Sequence, residues 1–386
     1  MGSILLQEGL IYPISNEPFE GDILIENGKI SQIGKNLDLK ADKAINVKNK
    51  YIFPGFIDAH SHIGLFEEGV GGSYQDGNEA TDPTTPQVRA IDAFYPEDAA
   101  IRRALAGGVT TVMVVPGSAN PIGGQGAILK LNSQITDESI LREPSGLKMA
   151  LGENPKRVYG SSNKTPSTRL GNAAVIREYF TKVINYRRKK ETAQKEGKPF
   201  NDIDLKLEIG EKVLKREIPA RIHAHRKDDI LTAIRLSEEF GFDLVIEHAT
   251  EAYKIADFIK EKNIPLILGP IFGFRTKLET RDMSYESIKI INEKGILASL
   301  MCDHPVIHLE HASIQAATAL RYGAKEEDLL KMLTINPAKI LGLEDRLGTI
   351  EVNKDADLVV WSGHPFDPRS YVEKTLINGK VVYEAE

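Results

Sequence analysis

GFIDAHSHIGLFEEG, residues 55–69, decides how the rest of the chain is read. The run that leads into its histidines, Tyr51-Ile52-Phe53-Pro54-Gly55-Phe56-Ile57, has the composition of a buried strand. Side chains on a strand alternate between faces, so residues two apart share one. His60 and His62 therefore point the same way, at the place where the strand ends. Two neutral imidazoles converging on one point suit a divalent metal. A pair of hydrogen-bonded histidines has the same local signature, so the rest of the chain must supply further ligands.

Downstream, short apolar runs alternate with helical patterns. FIDAHSH is followed by the helical EDAAIRRALAGG (97–108), then by VTTVMVV (109–115), AILKL (127–131) and LKMALG (147–152). A long helical region runs from Ala173 to about Glu217. ARIHA (220–224), DLVIEHA (243–249), IPLILG (264–269) and ILASLMCD (296–303) each precede a further helical stretch. Apolar, non-alternating strands separated by helices predict a parallel sheet covered on its outside. Eight of them fit a closed (β/α)8 TIM-like barrel. An open doubly wound sheet is the alternative, but no GxGxxG follows an early strand. GDILIENGKISQIG turns on Asn27-Gly28 and KTLINGKVVYE turns on Asn378-Gly379, both type I′ hairpin signals. ADLVVWS (356–362) is another buried strand. The two ends thus predict one small β-sandwich domain, residues 1–54 and 346–386, with the barrel, 55–345, inserted between them.

The bulk of the chain narrows the classes of function. Its 386 residues are 41% hydrophobic and 27% charged, ordinary for a globular protein. A net charge of -6 gives no reason to expect nucleic acid or an anionic membrane. The opening MGSILLQEGLIYP lacks a basic segment and a long apolar core, so no signal peptide is expected. No apolar stretch approaches the roughly 20 residues of a membrane span. The single cysteine, Cys302, allows no internal disulfide and points to the cytoplasm. Within ILASLMC it reads as a small buried residue rather than a nucleophile.

In such a barrel, chemistry sits where strands end. His60 and His62 end the first strand, Glu153 follows the fourth, and His223 and His225 end the fifth. His248 ends the sixth and Asp303 the eighth. Five of the nine histidines fall at strand ends. Imidazole with carboxylate and no thiolate favours Zn, with Fe, Mn or Ni as alternatives. Ligands that leave one position open make a catalytic rather than a structural site.

On PGFIDAHSH, IHAHRKDDILTAI, IEHATE, CDHP and the tail NPAKILGLEDRLGTIEVNKDADLVVWSG, the chain resembles the amidohydrolase superfamily of metal-dependent hydrolases. Within it, the likeness is to imidazolonepropionase-related and prolidase-like members, and it covers essentially the whole chain. The resemblance implies that His60, His62, His223, His248 and Asp303 bind metal, and that Asp303 is also a proton shuttle. Many two-metal members carry a carboxylated lysine on strand four. Here Glu153 stands near that place and resembles the bridging glutamate of other members, with Lys156 three residues later. One ion or two stays open. So does the choice between His223 and His225; prolidase-like members use the first histidine of this pair, which leaves His225 to face substrate or orient a ligand.

The chemistry implied is hydrolysis of a C–N bond in a linear or cyclic amide. A bound metal lowers the pKa of water to about 7. Asp303 takes a proton from the water and later delivers it to the departing nitrogen, while His248 polarises the carbonyl or binds a second ion. No GxSxG elbow offers a rival nucleophile. The Gly/Pro-rich loop 67–96 has the length of a binding lid. GSANPIGGQG (117–126) brings Gln125 toward a ligand, and Arg157 and Arg275 are candidate clamps for a substrate carboxylate. A prolidase-like dipeptidase, a heterocycle deaminase and a non-catalytic scaffold are the alternatives. The expected partners are a small amide-type substrate and further copies of the chain, with neither nucleic acid nor membrane.

Overall fold

The computed structural model describes every residue except Met1, Asp38, 70–74, Phe274 and Thr276. Eight strands surround the centre: β1 (Phe56–Ser61), β2 (Val109–Val114), β3 (Ile122–Lys130), β4 (Ile140–Ala150), β5 (Ala220–Ala224), β6 (Leu244–His248), β7 (Leu266–Leu268) and β8 (Ala298–Leu300). They are neighbours in chain order. Every residue of β1, β2, β5, β6, β7 and β8 is buried. That is what non-alternating runs require when side chains fill the inside and helices cover the outside. Between β8 and β1, the Asp58 carboxylate accepts the Cys302 N–H at 2.8 Å, and His62 N–H donates to the His304 carbonyl at 3.1 Å.

One strand departs from an all-parallel barrel. β1 and β2 are parallel, as are β4 through β8 in succession. β3 runs antiparallel to both β2 and β4. Its connections are residues 115–121 and 131–139, and a parallel crossover needs about a dozen residues or more. The long helical region also divides, into Arg169–Lys195 and Leu205–Leu214. The break falls at Gly197, with φ of 66°, and Pro199; the first leaves helical geometry and the second cannot re-enter it in mid-helix.

Both chain ends build a second sheet. Ile4–Ile11, Phe19–Glu26, Lys29–Gly34, Lys43–Asn46 and Tyr51–Pro54 join Leu358–Trp361, Val372–Ile377 and Lys380–Glu384. The seam is the antiparallel pairing of Tyr51–Pro54 with Leu358–Trp361. Asn27 and Gly28 (φ 51° and 78°) and Asn378 and Gly379 (49° and 70°) are left-handed, as type I′ hairpins demand. The reversal of β3 brings Lys130 to the end of the barrel that faces this sheet. There its buried ammonium donates to Asp355 at 2.9 Å, Asp357 at 3.0 Å and Asn378 at 2.6 Å. Among the described residues, no helix is long and apolar enough to cross a membrane.

Candidate metal centre

The carboxyl ends of β1, β5, β6 and β8 meet at the other mouth of the barrel. Two groups of donors form there: His60, His62 and Asp303, and His223, His225 and His248. Within each group the ligand atoms lie within 4.8 Å of one another. His60 Nε2 is 3.1 Å and His62 Nε2 is 3.3 Å from the same Asp303 oxygen, Oδ1. The His60 and His248 rings, 5.3 Å apart, join the two groups.

Backbone geometry aims these side chains. Glu247 pairs with His223 across β5 and β6, so both face the barrel interior. A regular strand would then turn His248 outward. Positive φ at His248 (67°) and Ala249 (48°) breaks the alternation and brings the ring into the mouth. Asp303 is also left-handed, at 54°. A non-glycine residue in this region costs about 1 kcal/mol or more, and here the strain falls on the donors. Hydrogen bonds set the tautomers. His62 Nδ1 donates to the Val115 carbonyl at 2.7 Å and His248 Nδ1 to the Gly269 carbonyl at 2.9 Å. A carbonyl only accepts, so each Nε2 turns a lone pair to the mouth. His225 Nδ1 is fixed by the Thr250 hydroxyl at 2.7 Å.

At His223, His225, His248 and Asp303 the electrostatics favour the ligating forms. At His60 burial lowers the imidazole pKa, but the Glu247 and Asp303 carboxylates together outweigh it and raise it. Burial pushes His223 down to about 4. Burial, joined by the neighbouring His223, holds His225 and His248 well below the usual histidine value. Burial alone would raise Asp303, but His248, His60 and His62 outweigh it and keep the carboxyl well below its ordinary range. Neutral imidazole and ionised carboxylate are the forms that bind metal. Beneath them lies a buried charged layer, in which Glu247 pairs with Lys148 and, at 3.0 Å, with Arg221. Glu247 Oε1 is also 3.0 Å from His60 Nδ1, though poorly aligned for a hydrogen bond. Both nitrogens of His223 and Glu279 Oε1 are buried without hydrogen-bond partners among the described residues. Buried polar atoms are nearly always paired. Convergent unpaired nitrogen and oxygen donors fit a divalent cation of the Zn, Fe, Mn or Ni type.

The other sequence-derived candidates lie further out. Glu153 opens the helix Glu153–Gly160, half-buried and outside both donor groups; its backbone N–H donates to Glu279 Oε2 at 2.9 Å. Lys156 and Arg157, on the same helix, line a cavity of about 340 Å³ with Glu153, Arg226 and Glu279. The lysine on strand four is Lys148, not Lys156. The Gln125 amide donates to the Pro86 and Gln87 carbonyls at 3.1 and 3.3 Å, tying the loop after β1 to β3. Arg275 is exposed and donates to the Met283 carbonyl at 2.9 Å. Residues 70–74 of the expected lid lie outside the described residues. Cys302 is buried, burial pushes its thiol well up, and its sulfur faces Gln315 at 4.0 Å. Lys148, Glu247 and Glu279 are the residues that sequence reading missed. The first two carried a signal, a charge inside an apolar strand. Glu279 sits in a loop with no such mark.

A barrel with a β domain made from both chain ends, and with histidines and an aspartate at its mouth, defines a class of barrels equipped to hold divalent cations. Within that class the chain belongs to the amidohydrolase family, whose sequence pattern matches residues 51–382. A crystal structure of an amidohydrolase from Thermotoga maritima is 63% identical, with a TM-score of 0.98 over 99% of this chain and 100% of that one. Amidohydrolase tasK of Hapsidospora irregularis is 28% identical over 94% of this chain and 40% of its own length, so the chain spans less than half of that protein. The imidazolonepropionase of Picrophilus torridus is 24% identical over 88% of this chain and 84% of its own length.

Proposed function

We propose that the protein hydrolyses the C–N bond of a linear or cyclic amide, with His60, His62, His223, His248 and Asp303 holding one or two divalent ions, Zn first among them. The observation that carries this reading is the sharing of Asp303 Oδ1 by two imidazoles beside a second cluster of three. A bound divalent ion supplies a polarised carbonyl and a water acidic enough to attack near neutral pH. Asp303, ionised and fixed between His60 and His62, takes the proton of the attacking water and hands it to the departing nitrogen. His248 presents Nε2 to the same space. His225 borders the substrate side, next to the cavity that Lys156 and Arg157 line. Those two cations suit a carboxylate, so the favoured substrates are N-acyl amino acids and dipeptides.

The test is a turnover screen of metal-reconstituted protein against N-acyl amino acids, dipeptides, cyclic amides and aminated heterocycles. The expected result is turnover of an amide that carries a carboxylate, with KM raised about tenfold or more in Arg157→Ala and kcat little changed, as loss of uniform binding requires. Ammonia release from heterocycles alone would replace this reading with a deaminase, and no turnover in any arm would favour the scaffold.

A further inference from the structure

Glu279 is a fully buried carboxylate that neither strand periodicity nor the implied ligand set accounts for. It enters the mouth from the segment after β7, in the short helical turn Leu278–Thr280. One oxygen is committed, since Oε2 accepts the Glu153 N–H. The other, Oε1, lies 3.8 Å from His223 Nε2 and 3.8 Å from His225 Nε2. That is too far for a hydrogen bond. It is close to the spacing of two ligands on one ion, since donors about 2.1 Å from a tetrahedral metal stand about 3.4 Å apart. Among the described residues, Oε1 and both nitrogens of His223 are without hydrogen-bond partners. Arg169 at 3.7 Å from Oε2 and Lys277 at 3.9 Å from Oε1 stand at ion-pair distance, but neither is close enough to hydrogen-bond the carboxylate. A buried carboxylate oxygen thus faces two ring nitrogens across a spacing that no hydrogen bond bridges, an arrangement that a cation between them would satisfy.

The backbone makes room for this carboxylate. Gly152, between β4 and the helix that Glu153 opens, has a φ of 83°. A Cβ there would stand 2.7 Å from Glu279 Oε2. The space occupied by the carboxylate is therefore space that any other residue at 152 would take.

We infer that Glu279 is a metal ligand that joins His223 and His225 at the second donor group, a cation site separate from the one at His60, His62 and Asp303. The inference rests on the metal reading proposed above and goes beyond it, because it adds a donor from the loop after β7 and places His225 on the metal. It is tested by titrating stripped wild type and Glu279→Gln with Zn2+ against a chromophoric chelator, and by the visible absorption of the Co2+-loaded proteins. Glutamine keeps an oxygen for the Glu153 N–H and loses the charge. The expected result is two ions on wild type. In the variant one ion is unchanged and the other binds at least about tenfold more weakly, with the Co2+ spectrum altered for that ion alone. Glu279→Asp, which keeps the charge but not the reach, should also weaken the second ion, and it serves if Glu279→Gln does not fold. Wild-type affinity for both ions in the variants would overturn the inference, including the case where only KM rises, which would make Glu279 a substrate contact. A single ion indifferent to Glu279 would overturn it too while leaving the metal reading intact. Wild type that binds no ion would refute that reading itself.

Discussion

In the proposed reaction, Asp303 is where ligation and proton transfer meet. Asparagine matches its shape and still offers an oxygen, but it cannot take a proton from water. Asp303→Asn should therefore lower turnover on the order of 10²-fold or more, the usual scale of lost general acid–base catalysis, with KM changed far less. Because its neighbours hold the Asp303 carboxyl well below the ordinary range, wild type should keep its rate into mildly acidic buffer, and the variant's residual rate should instead track hydroxide. The check is a steady-state pH profile with metal content measured on both proteins. A variant that retains its metal and most of its turnover would leave Asp303 a ligand only. At this scale the sequence is informative where a residue type contradicts its surroundings. Histidines closing apolar runs stand out, as do Lys148 within LKMA and Glu247 within VIEH. Glu279 does not, because a loop acidic residue is ordinary until the fold turns it inward. The inward turn of His248 is also unreadable, since it depends on a positive φ and not on residue identity.

Elements follow from periodicity where packing decides them, and from connection length where it does not. The buried strands and the two Asn-Gly hairpins are visible in the pattern. The direction of β3 is not, since AILKL is equally apolar read either way; the short connections impose it. The division of the long helical region lies at Gly197 and Pro199, residues that interrupt helices for steric reasons. Close approach between elements is likewise set in three dimensions. Gly107 ends the helix Ala99–Ala106, and a Cβ on it would sit 2.4 Å from the Glu310 Cα in the segment after β8. That is a backbone contact, which no rotamer change relieves. Gly107→Ala should destabilise the protein by about 1–3 kcal/mol, the cost of overpacking, read as a lower urea midpoint with an unchanged slope. An unaltered midpoint would show that the segment after β8 yields freely.

At the scale of the molecule, the terminal sheet and the barrel share buried charge as well as the continuous chain from Tyr51–Pro54 into β1. Lys130 satisfies Asp355 and Asp357, which lie in the chain segment that leads into Leu358–Trp361. Lys130→Met would leave those buried carboxylates poorly compensated, and a loss of about 3–5 kcal/mol is expected on the scale of broken buried pairs. Denaturant unfolding checks it; a loss below about 1 kcal/mol would mean that Arg346, 2.6 Å from Asp355, carries the balance. This whole frame converges the donors of one mouth, and the proposal is that they hold divalent metal. Metal analysis of protein purified without chelator, combined with turnover before and after exhaustive chelation, tests that claim most directly. The account predicts one or two Zn-type ions per chain, loss of turnover when they are removed and recovery when they are returned. Full turnover from protein shown to hold no metal would contradict it.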